Sequence, residues 1–229
     1  MLIESGGFGE FEGDGSPTEK KLVEVCRRYG IRFIGPNCIG IVNRENGLVT
    51  PFARMLERFV KGGLSVIAQS GGVGASILMD MTLEFVGVTK FVSFGNAVDV
   101  KEHDLINYLS SDADTEVIAA YLEGVSDGRR LLETASRVRK PIVMLKSNRR
   151  QSSKKIACSH SAALAGDDRV ASAAFRQAGI LRAPDYMSWA NITKQLFLPP
   201  MRGPRLAVLS RSGGHAVLAA DSIDEFGFK

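Results

Sequence analysis

The chain has 229 residues, with 29 Lys+Arg against 25 Asp+Glu, a net charge of +4, 45% hydrophobic and 24% charged residues. These are globular values, which exclude wholesale disorder and a fibrous protein, and so small a net charge gives no case for nucleic acid. No apolar run reaches the ~18 residues of a membrane-spanning helix. The N-terminus, Met-Leu-Ile-Glu-Ser-Gly-Gly, has neither the basic nor the apolar region of a signal peptide. Cys26, Cys38 and Cys158 are widely spaced and make neither a disulfide framework nor a zinc pattern, so a cytoplasmic setting is expected.

In chain order, Met1 to Ser5 reads as the tail of a strand whose preceding βα units are absent. A helix is predicted over 17–29, with Ser16 as its cap, Pro17 in the first turn, Glu19 completing a capping box and Gly30 after the last turn. Short, nearly continuous apolar runs at 31–34, 64–68, 89–93, 117–121, 141–145 and 205–209 read as buried parallel strands. Between and after them, helices are predicted near 73–85, 102–110, 127–138, 168–178, 185–197 and 215–226. The alternation implies an α/β fold built on doubly wound parallel sheets. Segments 64–77 and 205–218 share one plan, strand, polar residue, Ser-Gly-Gly, helix, which implies two sheets of related topology. The stretch 198–204, rich in proline, reads as a linker. The expected organisation is a partial domain over 1–46, a complete one over 47–200 and the start of a third over 201–229.

Four groups of residues could carry chemistry. Ser70, Gly71 and Gly72 form a turn between a strand and a helix, where bare N–H groups and the helix dipole suit a phosphate; the plain alternative is a tight turn that needs glycine for packing. A nucleophile elbow at Ser70 would make a serine hydrolase, but Ala68-Gln69-Ser70 lacks the glycine two residues before the serine. The stretch from Lys146 to Gly166 is long for a connection and carries five cations before His160. A charge run alone is a solvated face, and a lone histidine is more often structural; together they fit phosphate chemistry through a nucleophilic imidazole. Glu123 ends an apolar strand, where it either faces solvent or orients a histidine by hydrogen bonding to one ring nitrogen. Gly35-Pro36-Asn37-Cys38 sets a fixed turn expected to expose Asn37 and Cys38. His103 and His215 read as surface or helix-start residues.

These motifs, in this order, resemble the NDP-forming acyl-CoA synthetases, the superfamily of ADP-forming acetyl-CoA synthetase and succinyl-CoA synthetase. The resemblance rests on Gly35-Pro36-Asn37-Cys38, Ala68-Gln69-Ser70-Gly71-Gly72, Gly95-Asn96 with Asp99, Glu123-Gly124, and Ser159-His160 running into Ala163-Leu164-Ala165-Gly166. It implies a Rossmann-like CoA-binding first domain, present here as its C-terminal part, followed by a flavodoxin-like domain and the start of a second one. It places the phosphorylated histidine at His160, its steadying carboxylate at Glu123, phosphate at Ser70, Gly71 and Gly72, and the CoA thiol end near Asn37 and Cys38. It implies coenzyme A, a carboxylic acid or acyl-CoA and phosphate as reactants. ATP or ADP with Mg2+ would be held by a separate ATP-grasp domain or subunit, in an oligomeric assembly with no nucleic acid or membrane partner. The chain departs from the family at Ser161-Ala162, where Thr-Gly is usual, and at Asn148 and Ser153, where glycines are usual. A different expectation is a regulatory module that binds acyl-CoA without turning it over.

Overall fold

The computed structural model describes residues 1–12, 17–52, 60–150 and 167–229, with the backbone alone at positions 11 and 12. Met1–Phe197 forms one compact unit and Leu198–Lys229 a second.

The first unit begins with a one-turn helix, α1 (Gly9–Glu12), and α2 (Pro17–Arg28). The expected cap of α2, Ser16, lies outside the described residues, and the Glu19 carboxylate accepts a bond from the Gly9 N–H at 3.1 Å. Next come β1 (Ile41–Asn43) and β2 (Leu48–Val49), then β3 (Leu64–Ala68), α3 (Gly71–Leu83), β4 (Val88–Ser93) and α4 (Glu102–Ser111). After these follow β5 (Val117–Leu122), α5 (Gly128–Ala135), β6 (Ile142–Lys146), α6 (Asp168–Gln177), β7 (Leu181–Ala183) and α7 (Tyr186–Gln195).

The strands make one sheet in the order β2-β1-β4-β3-β5-β6-β7. From β4 to β7 every pairing is parallel. Renumbered from β3, those five strands run 2-1-3-4-5, the flavodoxin-like doubly wound order. The expected parallel α/β architecture is therefore present, with an antiparallel hairpin added on the β4 side.

Strands β3 to β6 are buried along their whole length, because helices cover both faces. One face packs Val66, Ala68, Phe91, Tyr121 and Val143 against Ile77, Leu78 and Met81 of α3 and Trp189 of α7. The alternate residues, Ile67, Val92, Ile118, Ala120 and Met144, pack against Ile106 and Leu109 of α4, Leu131 of α5 and Phe175 of α6. Trp189 is fully buried, and its indole N–H donates to the Val143 carbonyl at 3.2 Å, so a large ring enters the core with its polar atom satisfied.

Two expected strands are corrected. Residues 31–34 make a single parallel bridge, Leu2 to Ile34. Beside that bridge, the Ile31 N–H donates to the Cys26 carbonyl at 2.8 Å and the Arg32 carbonyl accepts from the Met1 amino group at 2.7 Å, whereas Phe33 turns to a loop: its N–H donates to the Asp99 carboxylate at 2.7 Å and its carbonyl accepts from Val100 at 3.2 Å. Residues 205–209 belong to no strand and are exposed; the Leu206 N–H pairs with the Lys229 carbonyl at 2.8 Å. The second unit contains α8 (Gly213–Glu225), capped by Ser212, whose Oγ accepts from the His215 N–H at 3.5 Å. Of the two alternatives for His103, the helix start holds and the surface does not: the residue lies in the first turn of α4 and is buried, and burial lowers its pKa.

Candidate functional site

The registers Ala68 to Tyr121, Ala68 to Ser93 and Leu122 to Lys146 end the parallel strands in one row. The chain from β3 crosses to β4 through α3 on one face, and the chain from β4 returns to β5 through α4 on the other. The strand order therefore reverses between β3 and β5, and a crevice opens outside their carboxyl ends. Gln69 and Ser70 leave β3 at this place, and Glu123 and Gly124 leave β5.

Gln69 spans the crevice. Its N–H donates to the Tyr121 carbonyl at 3.1 Å, and its Oε1 accepts from the N–H groups of Glu123 at 2.5 Å and Gly124 at 3.1 Å. Asn148 holds the same loop from β6: its Nδ2 donates to the Glu123 carbonyl at 3.1 Å. Asn148 has φ of 55° and is buried, and asparagine is among the few side chains that adopt the left-handed region readily. Glu123 itself is half-buried. Neither Gln69 nor Asn148 was assigned a role from the sequence; a polar residue wedged between an apolar strand and a Ser-Gly-Gly turn was the available signal for Gln69.

Ser70 is the N-cap of α3, with its Oγ accepting from the Val73 N–H at 3.4 Å. Ser70, Gly71 and Gly72 thus stand at a helix start. The first-turn N–H groups have no intrahelical acceptor, and the helix dipole points its positive end at the crevice. The two glycines differ. A Cβ on Gly72 would meet open space, its nearest neighbour being Ser70 Oγ at 4.0 Å. A Cβ on Gly71 would come within 2.4 Å of Ile39 Cγ2, so Gly71 is there for packing.

That contact joins the start of α3 to the Gly35–Ile39 turn. Gly35 and Asn37 have φ of 99° and 60°, and the Asn37 N–H is held by the Ser5 carbonyl at 3.0 Å. Asn37 is exposed, as expected. Cys38 is not, and this expectation is corrected: the residue is 3% exposed, its thiol donates to the Ile3 carbonyl at 3.3 Å, and burial pushes its pKa up to about 11. The turn swings Asn37 out and Cys38 in, so a reactive thiolate is unavailable there.

Two of the cations before His160 have partners in the fold. Lys146 is buried and donates to the Ser147 carbonyl at 3.0 Å. Arg149 bonds the Asp168 carboxylate at 3.3 Å and the Pro184 carbonyl at 2.6 Å, tying the end of β6 to α6 and β7. Lys154, Lys155, Cys158 and His160 lie outside the described residues. The described chain stops at Arg150, two residues past the Asn148–Glu123 bond, and resumes at Asp167, the N-cap of α6.

Residues 61–196 match the family described as the succinyl-CoA ligase-like flavodoxin domain. The chain is 38% identical to the acetate–CoA ligase (ADP-forming) II subunit alpha of Pyrococcus furiosus, covering 100% of this chain and 50% of that protein. It is 39% identical to the acetate–CoA ligase (ADP-forming) of Methanocaldococcus jannaschii, covering 100% of this chain and 32% of that one. Among solved structures it resembles the dinucleotide-forming acetyl-coenzyme A synthetase 1 of Ca. Korarchaeum cryptofilum in complex with phosphate and ADP. The TM-score is 0.85 at 33% identity, over 99% of this chain and 49% of that one. The chain thus spans at most about half the length of these relatives. A flavodoxin-order sheet with a capped Ser-Gly-Gly helix facing a held glutamate at its switch point, and the match over 61–196, show that the chain belongs to the succinyl-CoA ligase-like flavodoxin domains of the NDP-forming acyl-CoA synthetase superfamily.

Proposed function

We propose that this chain is part of an NDP-forming acyl-CoA synthetase, which interconverts acid, CoA and NTP with acyl-CoA, NDP and phosphate. The observation that carries this reading is the switch-point crevice. The donor-rich start of α3 lies on one side and Glu123, fixed through its backbone by Gln69 and Asn148, on the other. The chain departs into 151–166, which holds His160, from the strand end beside it.

In this reading a phosphate oxygen attacks the acyl-CoA carbonyl, the C–S bond breaks, and the CoA thiolate takes a proton. The His160 imidazole then attacks phosphorus, the acyl–O–P bond breaks at phosphorus, and the free acid leaves. Finally phosphohistidine passes its phosphoryl group to NDP. Phosphoryl transfer needs positioning and charge stabilisation above all. Ser70, Gly71 and Gly72 supply N–H groups and dipole for the phosphate, and Glu123 accepts the N–H of the imidazole ring and fixes its orientation. Asn37 lines the thiol end, with Cys38 beneath it as a structural residue. NDP and its Mg2+ belong to an ATP-grasp partner, with which this chain would assemble. The domain division at 46/47 and 200/201 and the second flavodoxin-like domain beginning near 201 belong to the same proposal.

The test is phosphorylation of the full-length enzyme by Mg-ATP, read by intact mass and acid lability, beside His160→Ala. The expected result is an acid-labile, base-stable phosphate that disappears in the variant. Absence of phosphate from the wild-type enzyme would overturn the ligase reading in favour of an acyl-CoA-binding module.

A further inference from the structure

The loop after β4 and the segment 5–10 contain a polar chain that the reading above does not use. The Glu10 carboxylate accepts from the Gly7 N–H through Oε1 at 2.6 Å and from Asn96 Nδ2 through Oε2 at 2.6 Å. Asn96 Oδ1 in turn accepts from Asn37 Nδ2 at 3.3 Å. The backbone holds both asparagines in place: Asn96 N–H donates to the Pro36 carbonyl at 3.0 Å, and Asn37 N–H to Ser5 at 3.0 Å.

The inventory of donors and acceptors makes this chain directional. An ionised carboxylate only accepts, so Asn96 must present its NH2 group to Glu10. Its oxygen then faces Asn37, which must answer with its own NH2. The polarity set at Glu10 therefore passes through two carboxamides and ends with Asn37 Oδ1 as an acceptor. That oxygen lies on an exposed residue beside Gly6, where a Cβ would stand 3.6 Å from it and 3.1 Å from Glu10 Oε1. The bare glycine keeps the approach open. Burial pushes the Glu10 carboxyl up, but the bonds from Asn96 and from backbone N–H groups outweigh it and hold the group below its ordinary value. The carboxylate form is thus maintained at neutral pH, and the direction of the relay with it.

We propose that Glu10 is a positioning residue for the thiol substrate: acting through Asn96, it turns the Asn37 carboxamide so that Oδ1 receives a donor, S–H or amide N–H, from the incoming thiol-bearing arm. This rests on the reading that coenzyme A is a substrate. The acceptor at Asn37 and the donors at the start of α3 are joined by the Gly71–Ile39 contact, so an anion and a hydrogen-bond donor are recognised side by side.

The test uses Glu10→Gln, which keeps the size and removes the fixed polarity, because a glutamine can donate or accept toward Asn96. In the full-length enzyme with its ATP-grasp part, the KM for CoA should rise about tenfold, one good hydrogen bond's worth. The KM for phosphate and kcat should stay within about twofold. The double variant Glu10→Gln/Asn37→Ala should be no worse than Asn37→Ala alone, because both act at one oxygen. Additive effects, or an unchanged KM for CoA, would overturn the proposal. Independently of activity, the side-chain amide signals of Asn37 and Asn96 in this chain labelled with 15N-asparagine should both move in Glu10→Gln. If the Asn37 signals stay in place, no relay exists. An inactive wild-type enzyme would refute the ligase reading alone, and the amide spectrum would still decide the relay.

Discussion

Gln69 holds the Glu123 loop at the crevice that is proposed to admit phosphate, so the two jobs can be tested apart. Replacing Gln69 by Leu keeps the bulk but withdraws the acceptor from two N–H groups, those of Glu123 at 2.5 Å and Gly124 at 3.1 Å. At about 1 kcal/mol net for each bond, the loss is about 2 kcal/mol. With a urea slope of about 2–3 kcal/mol/M, the unfolding midpoint falls by about 0.7–1 M. Gln69→Glu is the informative partner. A carboxylate accepts both N–H groups, so stability at pH 7 should stay close to wild type. It also places a negative charge beside Ser70. Two unit charges ~6 Å apart at an effective dielectric of about 20 repel by about 3 kcal/mol, roughly a hundredfold in affinity. Titration of the full-length enzyme with inorganic phosphate, beside urea unfolding of each variant, reads both effects. If Gln69→Glu folds normally and binds phosphate as the wild type does, the anion is held elsewhere and the crevice assignment is wrong.

Three further outcomes follow from the geometry. Lys90, buried in β4, bonds the Asp112 carboxylate at 2.7 Å, and Asp112 also accepts from Thr115 at 2.5 Å. Burial pushes the Asp112 pKa up, but those bonds bring it below its ordinary value. The pair therefore stabilises the fold above the ordinary carboxylate range and loses that contribution as pH falls through the folded pKa. Lys90→Met should cost about 3–5 kcal/mol at pH 7 by stranding the carboxylate. Part of the loss should return as the pH is lowered toward 4–5, the opposite of the wild-type trend in melting temperature. Cys38 should resist iodoacetamide at pH 8 in the folded protein and react on unfolding, as mapped by peptide mass; rapid labelling of the native chain would contradict its burial. Gly71→Ala drives a methyl group to 2.4 Å from Ile39 Cγ2, with an expected loss of about 1–3 kcal/mol. Ile39→Ala in the same chain should recover much of it, measured by denaturant midpoint.

The central strands and helices were legible because burial on both faces forces near-continuous apolar runs and because capped helices announce their starts. Where a strand's backbone bonds come from unexpected partners, composition says little. Residues 31–34 are apolar enough for a strand, yet Asp99 and Val100 take two of the bonds that a neighbouring strand would have made. The β1–β2 hairpin was overlooked although it carried a turn signal: Asn46-Gly47 lies between apolar pairs, and Gly47 has φ of 74°. At three residues, β7 offers no periodicity to read. In the candidate site, the turns and strand ends that carry Ser70, Gly71, Gly72, Asn37 and Glu123 were legible. Side-chain direction was not, since a one-residue change of facing separates the exposed Asn37 from the buried Cys38. The side chains of Gln69 and Asn148 bond backbone groups of the loop after β5, far away in sequence, a role that no local pattern encodes.

The two outermost strands, β2 with two residues and β7 with three, have a consequence for how the molecule meets its neighbours. A sheet whose borders are this brief offers almost no ladder of unmet amides for another chain to extend. Among the described residues, the shortness of these flanks leaves little room for edge-to-edge pairing, the common hazard of a wide parallel sheet. Association is then expected through helix faces or the loops at the strand ends, and crowding of such molecules should yield discrete assemblies in place of fibrils.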